Sequence, residues 1–564
     1  MPPLIATRSP SHRPLPALRR LLTIAALASL HALPSSVAHA QATLTHSDDA
    51  IPIPSGWLRL SVLNAWERYD SRFGQSATVG LGDPLSTDSL GPRQLPRLSP
   101  IEGGLQTLTN NPTQRLTFGR LEVRSDARIV TTPIALEYGI TWRFSLGVVV
   151  PIVQTRASAQ VLVNRRAAGD TTKTSNVGMW AESQRAAQAT ANKSVFDNLT
   201  KAATTLNGLL TRCAQNPLAA ECDPIRGNEV AAAAAARRAT DAAGAVATAY
   251  GITAQTAVVA PLAGSTLAKT VESELAALSA QLATYIPGTV LGTLPSVTTE
   301  FSYVDLQGRA GTPGLLGSDL GGGLDSIATT ERIGVGDVEV RARVLLLERV
   351  QGDTLPPRRF QYRLGLGGIV RFATSRPDSA RNLIDIGTGE GAGLEVRSAL
   401  DMSGGRLGAT IAAHYATYFE RTVNVQLVGY PIAGFVYPEF GEVARKAGNV
   451  IGIDVTPRFF VGDWLAFEGR YAYEHTDAPT FTDAAASPCS ACTVLANSVL
   501  PTPWTVQRIG FGIRYSTVDS FMRRRARYPI EVSYRHLETI TGDAGAPKQF
   551  RDQIQLRLYY RIRG

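Results

Sequence analysis

The sequence predicts an all-β transmembrane antiparallel β-barrel of about twelve strands with an α-helical insert. Three observations predict it. Apolar and polar residues alternate with period two in one segment after another, the mark of strands with two unlike faces. The links between those segments alternate between short and long, as they do in barrels that cross a membrane. One link, from about 176 to 288, changes to helical periodicity.

The start of the chain sets the compartment. Arg8, Arg13, Arg19 and Arg20 precede an apolar run from about Leu21 to Leu33, which ends in Ala38-His39-Ala40. A basic, acid-free opening, a short greasy stretch and a small-x-small triplet make residues 1–40 a secretory signal. The barrel then occupies 41–564. At 564 residues the chain exceeds an ordinary single globular core. Its 51 glycines and 33 prolines suit turn-rich β structure. Beyond the leader no uncharged apolar run reaches the length of about 18 residues that a transmembrane helix needs.

Twelve segments carry the alternation: 57–69, 116–139, 142–157, 335–349, 360–374, 391–402, 406–421, 449–460, 464–476, 504–516, 528–540 and 549–562. The short links are about Gly139–Thr141, Gln351–Arg358, Ser403–Gly405, Val461–Asp463 and Thr517–Arg527. The remaining links are expected to be long and to lie together at the outer surface. An even count returns both chain ends to the side of the short turns.

Within each segment the two faces differ in kind. In the last, Ile554, Leu556, Leu558, Tyr560 and Ile562 oppose Gln555, Arg557, Tyr559 and Arg561. In the fourth, Val338, Val340, Val344 and Leu346 oppose Asp337, Glu339, Arg341 and Arg343. The eighth sets Ile451, Ile453, Val455 and Phe459 against Asp454 and Arg458; the ninth sets Leu465, Phe467, Tyr471 and Tyr473 against Glu468, Arg470 and Glu474. Arg143, Arg363, Glu395, Arg397, Arg508 and Arg514 fall on the polar faces of other segments. Greasy faces turned to outer-membrane lipid put these charges in a lumen, and the sheet must then close, because an open edge cannot sit in hydrocarbon. Glu122, Arg124, Asp126 and Arg128 are expected in that lumen too. Mixed signs predict ion-pair ladders across neighbouring strands. Twelve strands lie between a barrel filled by side chains and one with an open channel.

In the insert, Val195, Leu199, Ala202, Leu206 and Leu209, and later Leu267, Val271, Leu275, Leu278 and Leu282, recur at helical spacing. Three helices are predicted, at about 179–212, 228–250 and 265–285, with an alanine-rich middle one. Strand parity puts the insert at the outer surface, where it is a candidate surface for an extracellular partner. Export makes two close cysteine pairs candidate disulfides: Cys213 with Cys222, and Cys489 with Cys492.

No residue pattern calls for catalysis, and neither a cofactor nor a metal is expected. Gly387-Thr-Gly-Glu-Gly-Ala-Gly393 lacks the strand-to-helix context of a phosphate loop. His414, Tyr418 and Glu420 have no serine partner in their strand. Arg523-Arg524-Arg525 and Arg527 form a basic run on a predicted periplasmic turn. Nucleic acid is excluded as a partner by export and by the absence of a recognition motif. Trp57, Trp66, Trp142, Trp464 and Trp504 stand near segment ends, as an interfacial girdle does.

Tyr138-Gly-Ile-Thr-Trp-Arg-Phe-Ser-Leu-Gly-Val-Val-Val-Pro151 and Gly334-Val-Gly-Asp-Val-Glu-Val-Arg-Ala-Arg343 resemble two stretches of the outer-membrane proteins of the meta-pathway phenol-degradation family, a group related to fatty-acid and aromatic-hydrocarbon transport barrels. The resemblance covers most of the mature chain outside the insert and the loop 72–115. It implies a bacterial outer-membrane barrel that passes a small, hydrophobic or aromatic solute, with no catalytic residues. The residues alone leave a second reading open, a sealed barrel anchoring the helical insert as a binding surface.

Overall fold

A computed structural model describes residues 50, 52–166, 175–349, 360–428, 439–483, 493–495 and 502–562. The leader 1–40 lies outside the described residues. So do Cys489 and Cys492, and the disulfide expected between Cys489 and Cys492 is therefore not among the bonds described. The disulfide that is described joins Cys213 to Cys222.

Twelve antiparallel strands form the barrel: β1 (Trp57–Phe73), β2 (Leu121–Gly139), β3 (Phe144–Val163), β4 (Val338–Arg349), β5 (Gln361–Phe372), β6 (Gly393–Gly404), β7 (Leu407–Tyr418), β8 (Val450–Phe460), β9 (Leu465–Thr476), β10 (Trp504–Ser516), β11 (Ile530–Gly542) and β12 (Pro547–Arg561). Each pairs with its neighbours in sequence. The ring closes where β1 meets β12, in register from Trp57 opposite Arg561 to Arg68 opposite Phe550. A short strand, Thr330–Val335, precedes β4 and continues its pairing along β3 beyond Gly336 and Asp337. Every one of the twelve strands is paired on both sides, the condition for β structure in lipid. Among the described residues, no helix is long and apolar enough to cross a membrane.

Both ends of the barrel chain lie at the end that carries the turns Ile140–Arg143, Gly405–Arg406 and Val461–Trp464. The alternation of link lengths breaks at the last pair of strands. The β10–β11 link at this short-turn end runs through 517–529 and contains a helix, Val518–Met522. The β11–β12 link at the opposite end is only Asp543–Ala546. Gly545, at φ 94°, makes that tight turn possible. The turn is stitched to the end of β1 by Phe73 N donating to Ala546 O and Gly545 N donating to Phe73 O.

The barrel wall has a band that faces lipid. Along β3, Leu146, Val148, Val150 and Ile152 point outward and are well exposed, as is Trp142 just before the strand, while Ser145 and Val149 are buried. From Trp142 to Ile152 is the length of about ten residues that a tilted strand needs to span the hydrocarbon. Above this band the pattern inverts. On β2 the outward face passes from Tyr138, Leu136 and Ile134 to exposed Arg128 and Arg124, and the inward face from buried Glu137 and Thr131 to buried Ile129, Ala127 and Val123. The lumen expectation for Glu122, Arg124, Asp126 and Arg128 is therefore corrected: they stand on the outer face, above the membrane band. The reason is solvent. Outside the bilayer a strand meets water on its outer face and a packed core on its inner one, so the same period of two carries the opposite chemistry.

That core belongs to the cap at the long-loop end. Its helices are α1 (Ser99–Leu108), α2 (Glu182–Gln215), α3 (Glu229–Ala249) and α4 (Thr266–Tyr285). Val195, Leu199, Leu206 and Leu209 make the buried stripe of α2, and Ala232, Ala235, Ala236, Ala239 and Ala243 that of α3. Small alanines let the two axes approach, and the Cys213–Cys222 disulfide closes the connection between them. Asn192 donates to Tyr250 O and Gly251 O from inside this packing. α1 docks on α3 through Gly104, where a Cβ would come within 2.9 Å of the Ala249 Cβ. One hydrophobic core runs from these helices to the inward residues Ile129, Val153 and Ala157 and to Leu383, Ile384 and Ile386 of the β5–β6 loop. A separate four-stranded sheet (Arg421–Val428, Glu439–Lys446, Thr480–Asp483 and Thr493–Leu495) forms from other long loops.

Leu146→Arg is expected to cost about 2–4 kcal/mol of barrel stability, as a cation costs on a lipid-facing strand. Arg156→Gln, exposed on the same face but above the band, changes it by less than about 0.5 kcal/mol. Denaturant unfolding in detergent, read by the change in gel mobility between unboiled and boiled samples, measures both.

Candidate functional site: the barrel interior

Inward positions of the barrel bring arginines and carboxylates from non-adjacent sequence into one buried network. Glu468 of β9 accepts from Arg458 of β8 at 3.0 Å and from Arg535 of β11 at 3.0 Å. Glu339 of β4 accepts from Arg341 on its own strand and from Arg371 of β5, each at 2.9 Å. Glu395 of β6 is shared by Arg371 and Arg397. Glu137 accepts from Arg59 at 2.6 Å, with Arg343 at 3.6 Å. Glu531 takes Arg514 and Arg557, the latter at 2.9 Å. Asp454 pairs with Arg470 at 2.8 Å, Glu474 with Arg508 at 3.3 Å, and Glu67 with Arg551 at 2.8 Å. The recurring unit is one carboxylate between two guanidiniums. Each oxygen satisfies one fork, which compensates the desolvation of buried ions.

The positions read from the sequence divide accordingly. Glu339, Arg341, Arg343, Glu395, Arg397, Asp454, Arg458, Glu468, Arg470, Arg508, Arg514 and Arg557 join the network. Arg363 sits at the short-turn mouth against Glu348 at 2.7 Å. Asp337 is buried but acts as a backbone anchor: it accepts from Gly391 N at 2.8 Å and Ser375 N at 3.2 Å, where the extension of β4 breaks. Two placements are corrected. Arg143 lies in the β2–β3 turn, exposed, with its guanidinium 4.1 Å from the Trp142 ring centre; Glu137 is engaged by Arg59 and Arg343 instead. Arg561 is exposed on the rim, where β12 still pairs with Trp57 of β1 but has run past its last partner on β11. Of the four cysteines, Cys213 and Cys222 are bonded within the cap, whereas Cys489 and Cys492 fall outside the described residues. Arg535, expected in the lumen from its parity, joins the network through Glu468, whereas Glu67 and Arg551 belong to it but were not singled out from sequence. The parity that links Arg59 to Glu67, and Arg557 to Arg551, points to both of them.

The segment before β1 turns into the barrel from the short-turn end. Ala50 N donates to Asp401 Oδ2 at 2.6 Å, and Ile53 is 2 % exposed. Gly365 makes room, for a Cβ there would stand 2.8 Å from Ala50 O. Beside Ala50 lies a cavity of about 50 Å³, bounded by Arg341, Arg343, Arg397 and His414. Toward the short-turn end a larger cavity of about 620 Å³ opens. Trp57, Phe460, Trp464 and Tyr559 supply its aromatic wall, and Arg59, Arg363, Asp401, Arg458 and Arg514 its charges.

His414 is buried over Gly452, whereas Glu420, two residues beyond Tyr418, is exposed. Among the described residues no cluster of His, Cys, Asp or Glu is placed to hold a metal ion. The chemistry available is electrostatic and steric: a polar, narrow interior with a wider vestibule at one end.

No family model and no curated protein matches the chain. Among solved structures, it is similar to an outer-membrane channel of Pseudomonas putida F1 at 8% identity, over 91% of this chain and 98% of that one, with a TM-score of 0.38. It is similar to the toluene transporter TbuX of Ralstonia pickettii at 7% identity, over 90% of each chain, with a TM-score of 0.26. A FadL homologue of Pseudomonas aeruginosa aligns at 9% identity over 90% of this chain and 91% of that one, with a TM-score of 0.27. The assignment of a closed transmembrane barrel rests on the strand pairing described above.

Glu468→Ala is expected to destabilise the barrel by about 3–5 kcal/mol, because it strands Arg458 and Arg535 in the interior. Glu348→Ala, at the solvated mouth, costs at most about 1 kcal/mol. Unfolding midpoints in detergent compare the two.

Proposed function

We propose that the barrel is a passive outer-membrane conduit for a small solute. In this reading the capped, long-loop end faces the cell exterior and the short-turn end faces the periplasm, the arrangement usual for such barrels. The observation that carries it is the vestibule of about 620 Å³ bounded on one side by Pro52, Ile53 and Pro54. A barrel serving only as an anchor has no need of a solvated chamber walled by tryptophans and arginines. The solute class, hydrophobic or aromatic, follows from the resemblance of Tyr138–Pro151, and the aromatic wall of the vestibule suits it.

The mechanism is gated diffusion without chemistry. A solute from outside first has to pass the cap, whose packed core closes the interior at that end. Passage inward then requires the pre-β1 segment to leave Asp401 and Gly365, because that segment fills the interior at the level of the ion pairs. The ion pairs hold the wall in register while the segment moves.

Reconstituted mature protein is expected to admit small aromatic solutes into liposomes. Asp401→Ala, which removes the acceptor of Ala50 N, should raise bilayer conductance by about tenfold, the effect of losing one charge-assisted hydrogen bond that holds the closed state. A barrel that stays electrically silent and impermeable in both forms would overturn the conduit.

A further inference from the structure

The rim of the short-turn end carries a charge pattern that solute passage does not use. The β10–β11 link and the end of β12 lie side by side there, joined by Tyr559 N donating to Pro529 O at 3.2 Å. This brings Arg524, Arg525, Arg527 and Arg561 onto one stretch of rim, all exposed. Among the described residues, no carboxylate pairs with any of the four. The nearby acids are occupied elsewhere: Asp519 holds Arg523 at 2.7 Å, and Glu531 turns inward to Arg514 and Arg557. Exposed Tyr528 and Tyr560 stand among the arginines, with the Arg527 guanidinium 5.2 Å from the Tyr528 ring centre.

The turn holding these arginines is built, not loose. Helix Val518–Met522 is pinned by the edge contact of Phe521 with Trp57, ring centres 6.0 Å apart. Arg523 N, Arg524 N and Arg525 N donate back to Asp519 O, Phe521 O and Ser520 O. Arg524 is held at φ 60°, an uncommon conformation for a residue with a side chain. Directly beside the basic stretch the outward residues of β11 and β12 are Val532, Leu556 and Leu558, all exposed. Positive headgroup ligands therefore border an apolar wall. The opposite margin of the lipid band differs in kind: Arg68, Asp70, Asp126, Arg128, Arg156 and Glu331 mix both signs.

We propose that Arg524, Arg525, Arg527 and Arg561 form a binding site for an anionic phospholipid of the facing leaflet. Its phosphates lie among the guanidiniums, and its acyl chains lie along Val532, Leu556 and Leu558. Arginine forks suit phosphate oxygens, the tyrosines sit at headgroup level, and the apolar wall gives the ligand a tail. That wall is what separates a lipid from a soluble phosphate. A lipid with two phosphates matches four guanidiniums better than one with a single phosphate. The site borrows the membrane orientation of the proposed conduit, but binding does not depend on whether a solute passes.

Native mass spectrometry of the mature protein, released from detergent after incubation with diphosphatidylglycerol, phosphatidylglycerol or phosphatidylethanolamine, tests this. The wild type is expected to retain the two anionic lipids, diphosphatidylglycerol most, and to lose phosphatidylethanolamine. Each arginine removed should weaken the preference by about fivefold, so that Arg524→Gln/Arg525→Gln/Arg527→Gln abolishes it while the heat-dependent gel shift of the folded barrel persists. Arg406→Gln, on a different turn, should leave it unchanged. Equal retention of all three lipids, an unchanged preference in the triple variant, or displacement of the lipid by equimolar inorganic pyrophosphate would overturn the assignment. A silent barrel that still shows the preference would sink the conduit and leave the lipid site standing.

Discussion

Backbone hydrogen bonding in a medium without water is the constraint on which the rest of this structure depends. Every N–H and C=O in the lipid band must find a partner within the sheet, so β12 has to return to β1. Closure then creates an interior, and the strand period of two delivers every second side chain into it. The arginine–carboxylate network is a consequence. Side chains that face away from lipid are gathered into a space too narrow to hydrate them fully, and they persist there because each charge is answered. Glu468 shows how few residues this takes: one side chain of β9 ties β8 and β11 together, although β8 and β11 are not neighbours.

The same rule explains why the protein changes character along its height. Within the band, β2 is greasy outside and charged inside; a few residues higher it is charged outside and greasy inside. On β2 the switch between Thr131 and Ile129 marks where lipid gives way to water and where the inward residues of that strand join the core of the cap. The cap is folded as a soluble domain, with helical stripes, alanine-mediated contact and a disulfide. The barrel is folded as its inverse. Their shared core closes the interior at one end, and the pre-β1 segment narrows it at the other. In the proposed conduit, opening is a movement of the tethered pre-β1 segment rather than a widening of the wall.

Much of this was legible in the residues. Period-two alternation located twelve strands to within a few residues, because lipid and lumen are so unlike that few positions tolerate ambiguity. Partners on adjacent strands, such as Glu339 with Arg371, follow once register is known. The short spacing of Cys213 and Cys222 was enough to pair them, since nine residues bridge one helix end to the next. Other features were not legible. Arg143 obeys the parity of a luminal residue but sits in a turn, where parity has no meaning. Arg124 and Arg128 obey it too, yet the sequence does not announce the height at which the outside becomes water. The helix Ser99–Leu108 is hidden by Gly103 and Gly104, and Gly104 is there because α3 passes so close. The tight Asp543–Ala546 turn escaped because nothing local says that it is tied to Phe73 of β1.

By itself, the sequence determined that this chain makes a transmembrane β-barrel, how many strands it has, and which face of each strand meets lipid within the band. Those properties depend on periodicity, which is local. The tertiary structure alone decided which arginine meets which carboxylate, where the lipid band ends, and what occupies the interior. Those depend on register and closure between segments hundreds of residues apart, such as Ala50 against Asp401, and no local pattern encodes them.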